Sequence, residues 1–333
     1  MERLFNNIVA RIHTKLKTLF KLMKSYSIFC FLIVSIFVDS QTKPLDSLIF
    51  VNQNRIRTDL TKITQTHKSR NFQNIKTLDT VASYIKTELS KVCDSVVFQP
   101  FSVNSNIYNN VIGSIGLNHK ERLIIGAHYD VCGNQQGADD NASGVVGILE
   151  LARLLSKEKL NYRIDFVAYT LEEPPFFGTK QMGSYIHANY LYTNKIPIKG
   201  MICLEMIGYY DERKGSQKYP IPEMKLMYGD TANFITVTQS DKSGNFGNEI
   251  STSMQQQHLI KTINFKGNRS VSGVDFSDHR NYWFFNFPAI MITNTAFYRN
   301  KNYHTKNDTI ETLNIDKMSA VIEQLFLSIK QLR

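Results

Sequence analysis

Residues 122–155 read RLIIGAHYDVCGNQQGADDNASGVVGILELARLL. The first six form an apolar run of the kind that makes a strand buried on both faces of a sheet. A polar, glycine-containing loop follows, and over 142–157 the residues Val146, Leu149, Leu151, Leu154 and Leu155 mark a helix. Strand, loop and crossover helix are together the repeating unit of an open α/β sheet. Ligands of such sheets bind beyond the carboxyl ends of the strands. That position holds His128, Tyr129 and Asp130, and Asp139 and Asp140 stand just before the helix.

Outward from this stretch the unit recurs. Strands are predicted at 164–169, 200–204, 224–228 and 289–293, with helices around 182–192 and at 246–258 and 315–332. Upstream, 45–91 reads as helical, with Leu78, Val81, Ile85 and Leu89 on one face, and 96–103 and 107–115 read as extended. The expected fold class is α/β, a single globular domain with a mixed, mostly parallel β-sheet covered by helices on both faces. No internal repeat or low-complexity linker divides it.

The whole chain has 333 residues, 42% of them apolar and 20% charged, which excludes a disordered, collagen-like or cysteine-framework protein. No run of 18 apolar residues occurs after position 40, so a polytopic membrane protein is excluded as well. The net charge of +10 would suit an anionic partner, but residues 1–40 supply +4 of it and the rest is scattered, without a basic and aromatic stripe. No nucleic-acid role is expected.

Residues 27–38, SIFCFLIVSIFV, follow Lys21 and Lys24 and precede Asp39, Ser40 and Gln41. This is the layout of a secretory signal. As a helix the apolar run reaches about 18 Å, short of a bilayer core of about 30 Å. Residues 1–40 are therefore expected to be a signal peptide, and 41–333 the functional domain. A start at Met23 would give the signal an ordinary basic region. The expected location is secreted or periplasmic, with no stable membrane association after cleavage. Cys93, Cys132 and Cys203 then remain, enough for at most one disulfide. Nothing in the composition sets an oligomeric state.

Chemistry-bearing residues follow each predicted strand. Past RLIIGA come His128 and Asp130; past IDFVAYT, Glu172 and Glu173; past GMICL, Glu205; and past AIMIT the chain runs on to Tyr303 and His304. Imidazole and carboxylate gathered on one sheet edge suit a divalent cation such as Zn²⁺ without any thiolate. Each residue alone has a plainer reading: a satisfied core histidine, a solvated Glu-Glu pair, or an aspartate capping the next helix. Gathered in one cleft, however, unpaired carboxylates repel, so their convergence calls for a cation.

GAHYD, the second Asp of GADDNASG twelve residues after its His, the Glu pair, EMIGY, and a late YHT followed by Asp308-Thr309 resemble the M28 family of co-catalytic zinc aminopeptidases. The similarity covers roughly residues 75–333. It implies two Zn²⁺ per chain bridged by Asp140, with His128 and Glu205 completing one site and Glu173 and His304 the other. It further implies Glu172 as general base on a metal-bridging hydroxide and Tyr303 as a partner of the tetrahedral oxyanion. Asp130 would orient His128, and Asp278, within the Ser277-Asp278-His279 segment, and Asp308 would lie beside the ligands.

The function implied is a secreted exopeptidase acting on peptides, foremost an aminopeptidase. Two departures stand out. Glu205 occupies a position where many members have Asp, and PPFFGTKQMGS follows the Glu pair in place of a tighter glycine-rich turn. Phe176 and Phe177 are candidates for a pocket wall or for core packing, and Cys132 is read as incidental. The alternatives are a glutaminyl-cyclase-like acyltransferase with a single zinc, or a non-catalytic binding ectodomain.

Overall fold

A computed structural model describes residues 51–332, so the expected signal at 1–40 lies outside the described residues. Helices α1 (Gln53–Thr64) and α2 (Ile75–Leu89) lead into the strands β1 (Ser95–Val103) and β2 (Asn106–Ile115). Then come β3 (Arg122–His128), α3 (Gly144–Leu155), β4 (Arg163–Tyr169), α4 (Gly183–Thr193) and β5 (Ile198–Glu205). The last part holds a short turn α5 (Lys225–Tyr228), β6 (Ile235–Gln239), α6 (Gly244–Gln257), β7 (Thr262–Lys266), α7 (His279–Phe284), β8 (Ala289–Thr293) and α8 (Ile315–Gln331).

One sheet orders these strands β1-β2-β4-β3-β5-β8-β6-β7. Its four central strands, β4, β3, β5 and β8, are parallel, so their carboxyl ends share one edge. β1 and β2 add an antiparallel margin on one side, and on the other β6 joins β8 antiparallel and pairs with β7 in parallel. The sheet is thus mixed, as expected.

Alternate residues of β3 enter opposite cores. Leu123, Ile125 and Ala127 pack with Ile85 of α2, Val146 and Leu149 of α3, and Leu325 of α8. Ile124 faces the other way, among Val167, Met201, Tyr282 and Trp283. Burial on both faces is the physical reason that this strand is an unbroken apolar run. At about 1.5–3 kcal/mol per buried aliphatic side chain, these layers hold the strand ends in place.

Three expectations change. Of the stretch expected to be helical, 45–91, the described part from 51 onward holds two helices, α1 and α2, broken where Asn71 and Asn74 bond to each other and to nearby backbone. The strand predicted at 224–228 is instead the 3₁₀ turn Pro222–Met224 running into α5. Pro222 starts that turn where its missing N–H costs nothing, and Leu226 and Met227 are 82% and 76% exposed, so no sheet partner is available to them. The strands of this region are β6 and β7, ITVTQ and TINFK, in which Thr and Asn between the aliphatics had hidden the apolar pattern.

Cys93, Cys132 and Cys203 are all free thiols. Among the described residues no helix is long and apolar enough to cross a membrane.

Candidate metal centre and active site

The parallel strand ends deliver the predicted residues to one cleft. His128 is the last residue of β3 and Glu205 the last of β5, while Glu172 and Glu173 follow shortly after β4. Leu171, Met206 and His304 all adopt left-handed backbone, with φ of 60°, 51° and 56°. Side chains with a Cβ avoid that region, and residues held in it concentrate at functional sites. Here each one turns the chain sharply beside or at a cleft residue.

Burial and bonding separate the two adjacent aspartates. Asp139 is saturated: Oδ1 accepts from the backbone N–H of Gly208 (2.8 Å) and Tyr209 (3.1 Å), and Oδ2 from the side-chain amides of Asn294 and Asn300, both at 2.9 Å. It is a structural clasp between the β3–α3 loop, the segment after β5 and the segment after β8. Asp140, by contrast, sends Oδ1 to 3.4 Å from His128 Nε2 and Oδ2 to 3.1 Å from His304 Nε2. Neither aspartate caps α3. Asn141 serves that end, its Oδ1 accepting from Gly144 N and Met206 N while its Nδ2 donates to Leu204 O.

Around Asp140 two donor sets form. Nε2 of His128 is 3.4 Å from Glu205 Oε2 as well as from Asp140 Oδ1, and the three residues offer atoms that all lie within 4.8 Å of one another. His304 Nε2 stands 3.1 Å from Asp140 Oδ2 and 3.2 Å from Glu173 Oε2. Asp140 Oδ2 and Glu173 Oε1 are buried yet accept no hydrogen bond, although buried carboxylate oxygens ordinarily do. Lone pairs that converge without sharing a proton suit a cation, and imidazole with carboxylate is a donor set that zinc favours.

The electrostatics agree. Burial and mutual repulsion raise Glu172 well above the ordinary carboxylate range and Glu173 to about 7. Burial also raises Glu205. Burial would raise Asp140 too, but the two imidazoles overcome it and hold that group below its usual value. The cleft carries more negative charge than His128, His304 and Arg70 can offset, and divalent cations would lower its energy.

A second layer fixes these groups. With its Nδ1–H donating to the Asp130 carbonyl at 3.3 Å, His128 presents the Nε2 lone pair to the cleft. The Asp130 carboxylate lies 3.6 Å from Nδ1 and also accepts the backbone N–H groups of Glu172 (3.3 Å) and Glu173 (3.2 Å), so it ties the β3 end to the Glu pair. Asp308 receives the N–H groups of Asp139 (2.9 Å) and Asp140 (3.0 Å). Ser277 donates to Glu205 Oε2 at 2.6 Å.

The remaining predicted residues divide. Tyr303 stacks on His304 with ring centroids 3.8 Å apart, and burial with the nearby carboxylates pushes its phenol far up, so it remains a proton donor. Asp278 is buried with both oxygens unpartnered, and burial lifts it to about 7. His279, next to it, points elsewhere, bonded to Val274 O at 2.8 Å and packed edge-on to Trp283. Phe176 packs against Phe72 in the core, and Phe177 against Phe276. Cys132 Sγ lies at the rim of the second set, within 4.8 Å of ligand atoms of Glu173 and His304, and burial raises its thiol to about 11.

Several supporting residues escaped the sequence reading. Arg70, wholly buried, donates to the carbonyls of Tyr129 (2.7 Å), Gly137 (2.6 Å) and Gln136, and so braces the whole loop between His128 and Asp140. Asn294, Asn300 and Ser277 act from more than seventy residues away in sequence. No local pattern distinguishes such residues, because their partners are largely backbone groups or distant side chains.

A mixed α/β sheet with a buried imidazole and carboxylate centre on its carboxyl edge defines an α/β fold of the metalloenzyme class. The model of Peptidase family M28 matches residues 110–328. The chain belongs to that family, the zinc metallopeptidases to which its motifs pointed. It is similar to the uncharacterized protein YfbL of Escherichia coli (strain K12), 41% identical over 78% of this chain and 82% of that one. It is also similar to a probable leucine aminopeptidase 1 of Trichophyton verrucosum (strain HKI 0517), 27% identical over 63% of this chain and 54% of that protein. The chain thus spans about half the length of that leucine aminopeptidase.

Among solved structures, the Legionella pneumophila LapA aminopeptidase shares the fold at a TM-score of 0.67 and 20% identity, covering 85% of this chain and 72% of that one. A glutaminyl cyclase of Bacteroides thetaiotaomicron shares it at 0.65 and 16%, over 85% and 99%. The fold is therefore common to both reaction classes.

Proposed function

We propose that this protein is an exported two-zinc aminopeptidase that hydrolyses the amino-terminal bond of peptides. The observation that carries the reading is the division of Asp140 between two imidazoles, one carboxylate oxygen toward each. A single-zinc cyclase needs only one such set. Here His128 and Glu205 would hold one ion with Asp140, and Glu173 and His304 the other.

Zinc, when bound, polarises the scissile carbonyl and lowers the pKa of water. The chain's own residues supply the rest. Glu172 comes no closer to His128 Nε2 than 3.8 Å and is raised by burial, which suits it to carry a proton rather than hold a metal. It takes the proton of the attacking water, whose oxygen bonds to the carbonyl carbon. When the carbon–nitrogen bond breaks, Glu172 delivers that proton to the leaving amine. Tyr303 donates a hydrogen bond to the carbonyl oxygen as negative charge grows there.

Metal analysis of the purified protein is expected to find two zinc ions per chain, with release of free amino acids from the amino end of a peptide pool, abolished by chelation and restored by zinc. One zinc per chain together with ammonia release from amino-terminal glutamine would overturn the reading in favour of a cyclase. Export, supported by the layout of residues 21–41, predicts that protein recovered outside the cytoplasm begins near Gln41. An amino-terminal sequence starting at Met1 or Met23 would overturn it.

A further inference from the structure

The face of the sheet opposite α6 is covered over β8, β6 and β7 by loops. Beneath them lies an apolar cavity that opens onto the active site at Glu205 and Tyr303. Its wall is aromatic, formed by Tyr219, Phe234, Phe265, Phe276, Phe297 and Tyr298. Strand register sets the floor: Glu205 pairs with Thr293 of β8, and Thr293 with Thr236 of β6. Paired residues point to the same face, so these three side chains form one row running from the metal centre into the cavity. At about 4.8 Å between strands, Thr236 stands about 10 Å from Glu205 along that row.

Thr236 is 5% exposed and lines the cavity, and its hydroxyl is buried without a hydrogen-bond partner. Its neighbours on β6, Ile235 and Val237, point into the large core on the other face. Thr293, by contrast, is satisfied, its hydroxyl accepting from Thr295 N at 3.0 Å. A buried, unpaired hydroxyl on the floor of an aromatic cavity lacks what a substrate group could provide.

We infer that Thr236 determines specificity: the cavity takes the side chain of the substrate's amino-terminal residue and selects one that is aromatic along its length and hydrogen-bonding at its tip, tyrosine over phenylalanine. The assignment rests on the aminopeptidase reading above. A phenol fills the aromatic walls and pairs with the hydroxyl, whereas a phenyl ring fills them and leaves it unpaired. Sites built to hydrogen-bond a substrate group discriminate strongly against analogues that lack it. Glutamine offers a polar tip on a flexible stem that leaves the aromatic walls unmatched.

The test uses the full zinc-loaded protein with fluorogenic amides of tyrosine, phenylalanine, leucine and glutamine, and separately measures binding of tyrosinol and phenylalaninol, which have no bond to cleave. Wild type is expected to favour tyrosine over phenylalanine about tenfold in kcat/KM, and tyrosinol over phenylalaninol about tenfold in affinity, the scale of one buried hydrogen bond. Thr236→Val keeps the shape and removes the hydroxyl. It should bring both ratios near one, and Thr236→Ser should restore the preference.

Equal handling of the tyrosine and phenylalanine compounds by wild type, or ratios unchanged in Thr236→Val, would overturn the assignment. Cleavage without discrimination sinks the Thr236 assignment alone. Discrimination between the two alcohols without cleavage of any amide sinks the aminopeptidase reading and leaves the selective cavity standing.

Discussion

Asp140→Asn is expected to empty both metal sites and to lower kcat/KM by at least about 10³, the rate equivalent of the several kcal/mol that bound cations contribute. One carboxylate oxygen faces His128 and the other His304, so the substitution withdraws negative charge from both donor sets at once. An amide also replaces one of the two carboxylate oxygens by an N–H₂, which has no lone pair to offer a cation. The fold should survive, since neither Asp140 oxygen carries one of the hydrogen bonds that clasp the loop. Asp139→Asn is the informative comparison, because Asp139 accepts four close hydrogen bonds and lies outside both sets. That variant should lose stability before it loses zinc. Metal analysis beside thermal unfolding checks the pair, and two tightly retained ions in Asp140→Asn would show that the bridge is elsewhere.

Glu172→Gln should separate chemistry from binding. The amide keeps the side chain's size but cannot take a proton, so turnover is expected to fall by about 10² to 10⁴ with zinc content unchanged and KM little altered. The backbone bond from Glu172 N to Asp130 remains, which keeps the neighbouring Glu173 in position. Unchanged kcat would remove Glu172 from the role. Loss of zinc would make it a ligand instead, an arrangement that its grouping with His128 and Glu173 within 4.8 Å makes worth measuring.

Much of this centre was legible because its groups follow strand ends. RLIIGA, IDFVAYT, GMICL and AIMIT are strong local signals, and a parallel sheet places their carboxyl ends together whatever the loops do. Where local signal was weak, the reading failed. MKLMY reads as a short strand, yet Leu226 and Met227 face outward from a turn begun at Pro222, while the threonines of ITVTQ dilute its apolar pattern. Those same threonines face the cavity beside the active site.

By itself the sequence determined the α/β class and the order of chemistry-bearing residues past the strand ends, since both depend on short-range periodicity and on residue type. The resemblance named Asp140 rather than Asp139 as the metal-side aspartate, and tertiary structure supplies the physical reason. Asn294 and Asn300, brought in from beyond β8, saturate Asp139, and Asp308 clamps the Asp140 backbone so that its carboxylate faces both imidazoles. Tertiary structure alone decided that Arg70 braces the loop and that Thr236 ends in an aromatic cavity without a partner. Hydrogen bonds to distant groups leave no periodic trace in a chain, and burial of a polar atom becomes visible only when every neighbour is in place.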